Sequence, residues 1–156
     1  MPADKIEVLI HPQSIVHSAV QFADGAVKAQ LGIPDMHLPI QYAFSYPRRL
    51  PLSGNKLDLF KSHALEFFEP DLEKFRCLAL AYEALAQGGN MPCIVNAANE
   101  IVNRAFLEGR CQFLQMSDII AKAMQLATFI KQPTYEDYVQ SDAEARRIAS
   151  ELLTTS

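Results

Sequence analysis

A change of texture near Pro70 constrains this chain more than any other feature. Up to "FFEP" the sequence runs in short apolar alternations broken by prolines, and it holds all four histidines, His11, His17, His37 and His63. From Asp71 onward, apolar residues recur at intervals of three and four, the period of a helix rather than a strand. A chain that switches period in this way builds two packing systems. Pro70 stops the first, and Asp71 is placed to cap the second. The expectation is an α+β protein: a small mixed β-sheet with helical cover over residues 1–70, then a four-helix bundle over 71–156. With 156 residues, 49% of them hydrophobic, the chain can bury roughly 70% of its unfolded surface.

In the first part the clearest element is a hairpin in "SIVHSAVQFADGAVKAQLG". Asp24-Gly25 suits a two-residue type I′ turn, and apolar alternation flanks it. Counting outward from that turn pairs Phe22 with Val27, Val20 with Ala29 and Ser18 with Leu31 on a mostly apolar face. It also pairs Gln21 with Lys28 and His17 with Gly32 on the other face, so His17 is expected to point away from the apolar layer. The runs "IEVLI" and "HALEFF" read as further strands, a short helix is expected from Pro39 to the stop at Pro47, and "RRLPLSGNK" reads as a surface loop.

The second part is punctuated by caps. A helix is expected from Asp71 to Gln87, with Phe75, Leu78, Ala79, Tyr82 and Leu85 on its buried stripe and Gly88-Gly89 ending it. A second runs from Pro92 to Gly109, with Val95, Ala98, Val102, Ala105 and Phe106 together. A third starts at Ser117 or Asp118, and a capping box of Ser141 with Glu144 starts the fourth.

Several function classes are disfavoured. The net charge is −4 and no basic run exceeds Arg48-Arg49, so no nucleic-acid partner is expected. Cys77, Cys93 and Cys111 are odd in number with no CxxC spacing, which argues against a disulfide framework or zinc ribbon and for a reducing, cytoplasmic compartment. There is no long apolar run and no signal core in "MPADKIEV", so neither secretion nor a membrane span is expected. None of the six glycines forms a GxG or GxxxxGK turn, so no dinucleotide-binding fold is expected in this chain. The strand pattern begins after only five residues, which suggests a fragment or excised domain.

The polar run "HPQSIVHS", His11 to Ser18, is the anomaly. Polar groups set among "IEVLI" and "AVQF" cost about 1–3 kcal/mol each unless something pairs with them. Either the fold or a ligand must do so. A metal site joining His11 and His17 to His37 or His63 can be considered, but the six-residue spacing fits no ordinary ligand pair, and hydrogen-bonded or solvent-facing imidazoles are the better reading. Ser14 with His17 lacks the strained elbow and orienting acid of a serine hydrolase. Asn96, Asn99, Glu100 and Asn103 share a helix side and read first as ties to neighbouring backbone. Met36, in a proline-bounded loop, has the flexible thioether of a residue that could close over a ligand.

The stretches "EVLIHPQSIVHSAVQFADGAVKAQLGIPDM", "ALEFFEPDLEKF" and "NAANEIVNRAFLEG" closely resemble the later part of the 1-deoxy-D-xylulose 5-phosphate reductoisomerase family, from about Ile6 to the last helix. The resemblance implies a parent enzyme with an NADPH-binding Rossmann domain, a connective and catalytic domain, and a helical bundle. Residues 1–70 correspond to the sheet-forming, dimerising end of the connective domain and 71–156 to the bundle. In the family a divalent Mg or Mn ion supports isomerisation of the sugar phosphate, and NADPH then reduces the product to 2-C-methyl-D-erythritol 4-phosphate in non-mevalonate isoprenoid synthesis. The metal carboxylates, phosphate-binding cluster and flap lie upstream of the matching segment.

What carries over is His17 as a catalytic residue, Ser14, His17 and Met36 as substrate-binding residues, and Pro34 and Met36 beside the nicotinamide, with no metal ligand. A homodimer through the sheet and a bacterial cytoplasmic location are implied. Without the upstream parts, neither cofactor is expected to bind tightly and no turnover is expected. The alternative is a stand-alone, non-catalytic dimerisation module of the same fold.

Overall fold

The computed structural model describes residues 3–62 and 64–154. Their contacts divide the chain into two units, one of residues 8–70 and one of residues 71–156 joined by the first seven.

The helical unit contains α2 (Arg76–Gln87), α3 (Met91–Leu107), α4 (Phe113–Leu126) and α5 (Tyr135–Thr154). Helix α3 is the axis of the bundle and packs on the other three. Its buried positions Ile94, Ala97, Ala98, Val102 and Ala105 are fully inaccessible, as are Ala123 of α4 and Ala145 and Ala149 of α5. Alanine at facing positions lets helix axes approach at the short end of the usual 8–10 Å range. The larger Ile94, Val102 and Ile120 fill the space between.

Several expected boundaries move, each for a local reason. Asp71 does act as a cap, but its carboxylate accepts the amides of Glu73 and Lys74 in a separate turn, and α2 starts only at Arg76. The buried line of α2 is Leu80 and Ala84, rotated from the expected stripe, leaving Phe75 and Leu85 exposed. Helix α4 begins four residues before Ser117, because Gln112 and Gln115 form a reciprocal capping box. Ser117 is instead buried in mid-helix, donating to the Leu114 carbonyl.

Helix α5 begins before the Ser141 capping pattern. Thr134 and Asp137 form the true box: the Thr134 amide donates to the Asp137 carboxylate at 2.8 Å, and the Asp137 amide to the Thr134 hydroxyl at 3.2 Å. Ser141 lies inside the helix, donating to the Asp137 carbonyl and accepting from Asn90.

Asn90 is fully buried and fully paired. Its amide donates to the Thr128 carbonyl and the Ser141 hydroxyl, both at 2.8 Å, while its carbonyl accepts the Ile130 amide. Beside it Gly89 has a φ of +57°, and a Cβ there would lie 2.3 Å from the Ile130 carbonyl. No other residue fits that approach.

The other unit is sparser. Strands β1 (Val16–Gln21) and β2 (Val27–Leu31) form a two-stranded antiparallel sheet. The expected strands "IEVLI" and "HALEFF" contribute a single antiparallel bridge, Ile10 with Phe68; His63 lies outside the described residues. Helix α1 (His37–Ser45) starts two residues earlier than expected, since Pro39 sits in the first turn where no amide donor is needed. It ends before the cis Tyr46–Pro47 peptide, and "RRLPLSGNK" is irregular.

The hairpin register differs from the expected one by a residue. Gln21 pairs with Val27, Val20 with Lys28, Ala19 with Ala29 and Ser18 with Gln30. The cause is the loop. Phe22 accepts the Gly25 amide and donates to the Ala26 carbonyl, so three residues turn the chain, and Gly25 at φ +86° takes the left-handed position that such loops require. The shift mixes the faces. Val20 and Val27 fall on opposite sides, 59% and 60% exposed, so there is no single apolar face.

Candidate functional site

The run "HPQSIVHS" lies in the sparser unit, and the structure separates what the fold satisfies from what it leaves free. His11 donates from Nδ1 to the Glu66 carbonyl at 2.7 Å and stacks on Phe67 with ring centroids 4.7 Å apart. A carbonyl can only accept, so Nδ1 carries a proton; Nε2 is buried without a partner among the described residues. Gln13 pairs twice with Glu66, its amide donating to the carboxylate at 2.7 Å and its carbonyl accepting the Glu66 backbone amide at 3.2 Å. His11 and Gln13 are therefore held by the fold.

Ser14 is not. Its backbone closes a turn by donating to the His11 carbonyl at 3.0 Å. It also takes φ +51°, the only positive value of a non-glycine residue among the described residues. The left-handed region costs an L-residue about 1–2 kcal/mol, and such outliers concentrate at functional sites. The Ser14 side chain is exposed, and no hydrogen bond joins it to His17 among the described residues, so the two do not form a nucleophile and base.

His17 marks a break in the ladder. Val16 pairs with Leu31 and Ser18 with Gln30, which leaves His17 as the extra residue of a β-bulge. Bulges re-aim a side chain and are over-represented beside active sites. The expected pairing of His17 with Gly32 does not form as a ladder pair. The ring nevertheless lies beside Gly32, and its Nε2 is 3.4 Å from the Ile33 carbonyl. The imidazole is exposed and stands at the entry to the Pro34–Met36 segment. Turn register alone gave the wrong reason for an outward His17; the bulge supplies another.

That segment is braced by Asp35. Its carboxylate accepts the His37 amide at 2.9 Å and the His37 Nδ1 at 2.6 Å. The His37 amide, and then its imidazole, hold Asp35 below the usual carboxylate range. Met36 immediately precedes α1 and is 69% exposed. The structure thus brings His17 to the start of the 33–36 segment, while Ser14 stands at the other end of the run leading into β1. Glu66, which anchors that run, was not anticipated: it lies 53 residues from Gln13, and no spacing signals it.

The helical unit offers less chemistry. Glu100 accepts from Arg146 of α5 at 2.7 Å and from Asn96 at 3.3 Å, so the polar stripe of α3 serves largely as a tie between helices. A cleft of about 520 Å³ between α2 and α3 is lined by Leu78, Ala81, Leu85, Val95, Asn99 and Cys77. Burial pushes the Cys77 thiol up, the opposite of an activated nucleophile.

Among the described residues no three His, Cys, Asp or Glu side chains gather as a metal site, and no helix is long and apolar enough to cross a membrane. The three cysteines are free. The described residues do not fit a divalent ion, and no glycine turn fits a dinucleotide pyrophosphate. No chemical step of either group can be assigned to this chain.

Comparison with known proteins gives the family of the chain. A model of the DXP reductoisomerase C-terminal domain matches residues 31–148. The chain is 61% identical over 155 residues to the 1-deoxy-D-xylulose 5-phosphate reductoisomerase of Phocaeicola vulgatus, covering 99% of this chain and 41% of that protein. It is 62% identical over 149 residues to the Bacteroides thetaiotaomicron enzyme, covering 96% and 38%.

Among solved structures, the Zymomonas mobilis reductoisomerase in complex with NADPH superposes with a TM-score of 0.88 at 40% identity, over 98% of this chain and 40% of that one. A reductoisomerase in complex with NADPH, fosmidomycin and magnesium gives 0.91 at 34% identity, over 99% and 40%. The chain spans about 40% of the length of the relatives it matches. It belongs to the family of the DXP reductoisomerase C-terminal domain.

Proposed function

We propose that this chain is the C-terminal part of an NADPH- and divalent-metal-dependent reductoisomerase that converts 1-deoxy-D-xylulose 5-phosphate to 2-C-methyl-D-erythritol 4-phosphate, and that residues 8–70 supply one wall of its active site. The observation that carries the reading is the conjunction, in one small unit, of an exposed serine in left-handed backbone with an exposed histidine on a β-bulge beside the Pro34–Met36 segment. The Ser14 hydroxyl has no partner among the described residues, the exposed His17 ring has only the long contact to the Ile33 carbonyl, and both are of the type that hydrogen-bonds a hydroxylated substrate.

In this reading the Ser14 hydroxyl and the His17 imidazole bind and orient the sugar phosphate, and His17 acts as the catalytic group of the chain. Met36 and Pro34 cover the reacting end and the nicotinamide. In the full-length parent a divalent ion would supply polarisation of the substrate oxygens and NADPH the hydride, both held by residues outside this chain. The chain's own residues exclude water and hold the substrate within about 3–3.5 Å of its reaction partner.

The exposed Val20, Phe22 and Val27 of the hairpin support a homodimer through the sheet, and the balance of charge supports a protein without a nucleic-acid partner. Bacterial relatives and three free cysteines support the bacterial cytoplasm.

The test joins this chain behind the preceding portion of the Bacteroides thetaiotaomicron enzyme and follows NADPH oxidation with substrate and Mg or Mn. The chimera is expected to turn over and the 156-residue chain alone to be inert. Turnover by the isolated chain contradicts the proposal. So does a chimera in which His17→Asn changes neither kcat nor KM.

A further inference from the structure

We propose that Glu66 is a positioning residue that, through Gln13 and His11, holds the Ser14 turn in its left-handed conformation. The role assigned to that turn rests on the reading of Ser14 as substrate-facing; the clamp itself does not.

Three bonds converge on Glu66 from the residues just before Ser14. Its carbonyl accepts from His11, its amide donates to Gln13 and its carboxylate accepts from Gln13. On the far side, Ile10 and Phe68 exchange two backbone bonds of 2.9 Å each. Residues 10–13 are thus zipped to 66–68 over a sequence separation of more than fifty, and the next residue is the one non-glycine position with positive φ among the described residues.

Among the described residues the only other bond at that turn is the Ser14 amide to the His11 carbonyl, a local contact also available to an unanchored turn. A long-range clamp that fixes both His11 and Gln13 removes the extended alternatives that Ser14 otherwise prefers. The bond from Gln13 to the Glu66 carboxylate is charge-assisted, the stronger class of hydrogen bond. The arrangement is also reciprocal: an amide at one position and a carboxylate at the other is all it demands.

That reciprocity gives the test. Gln13→Glu sets two carboxylates against each other, whereas Gln13→Glu combined with Glu66→Gln restores one amide and one carboxylate and keeps the acceptor for the residue-66 backbone amide. In the isotopically labelled 156-residue chain, the Ser14 amide shift and its coupling to Hα are expected to move in the single variant and to return in the double variant. The resonances of α2–α5 should stay in place throughout.

In the full-length chimera, kcat/KM is expected to fall by roughly tenfold in the single variant, the worth of one such bond, and to recover to within about twofold in the double variant. A Ser14 signal unmoved by Gln13→Glu, or one that the double exchange does not restore, overturns the clamp. If the signal moves and returns while neither Gln13→Glu nor Ser14→Ala alters kcat/KM, the clamp stands and the substrate-facing role of Ser14 falls.

Discussion

The two units treat apolar side chains in opposite ways. Every buried hydrophobic side chain found in the described chain, from Leu80 to Ala149, belongs to the helical unit. In residues 8–70 the only buried residue among those described is Gly32, and Phe44 and Phe60 are 90% and 97% exposed. Exposed apolar surface on this scale marks a surface built to be covered by something else. One unit carries stability, and the other carries the serine, histidine and methionine of the candidate site. Separating the two tasks lets the site keep a bulge, a left-handed serine and an open strand edge without straining the core.

The largest effect expected from this contrast is in autonomy. Residues 71–156 alone should unfold in one cooperative thermal transition followed by circular dichroism, while residues 8–70 alone should show none; a cooperative transition in the latter would erase the distinction. Truncations should divide likewise. Ile94→Ala in α3 is expected to cost about 2–5 kcal/mol in denaturant titration, the range for a large buried residue cut to alanine, whereas Val20→Ala in β1 should stay within about 0.5 kcal/mol.

Asn90→Ala should cost about 3 kcal/mol, because it removes a fully buried amide and takes from the part-buried Thr128 carbonyl and Ile130 amide, and from the Ser141 hydroxyl, one partner each. No polar substitution in residues 8–70 should approach that value.

The smallest effect is the dependence on pH. Glu100 is held below its ordinary value of 4.5, first by its hydrogen bond from Arg146 and then by that charge. Its folded pKa is depressed, so its contribution is complete above the unfolded value and is lost as pH falls through the folded one. Glu100→Gln should therefore flatten the acid limb of the helical unit's stability. Asp35, depressed by the His37 amide and imidazole, loses its contribution in the same direction. Asp35→Asn should be visible only as fraying at the start of α1, read from amide exchange of His37 and Leu38.

What was legible in the sequence followed the same division. The existence of helices α2 and α3 and the glycine stop between them could be read because proline and glycine punctuate them, although the start and buried line of α2 could not. The starts of α4 and α5 could not: Ser141-x-x-Glu144 satisfies the capping pattern, but so does Thr134-x-x-Asp137 seven residues earlier, and only the tertiary bond from Asn90 shows that Ser141 belongs inside the bundle. The hairpin was legible as a hairpin but not in register. Asp24-Gly25 suits either a two- or a three-residue loop, and a strand pair with both faces exposed offers no buried side to choose between them. Ser14 and His17 could be offered as candidates from the polar run and its resemblance to a known family, while Glu66 could not be reached by any local argument.

Hydrogen exchange on the full-length chimera, with and without NADPH, magnesium and fosmidomycin together, tests the division of labour most directly. Added ligands should slow exchange across residues 14–36 while α3 and α5 remain as they were. New protection confined to α2–α5, with the 14–36 amides unchanged, would contradict it.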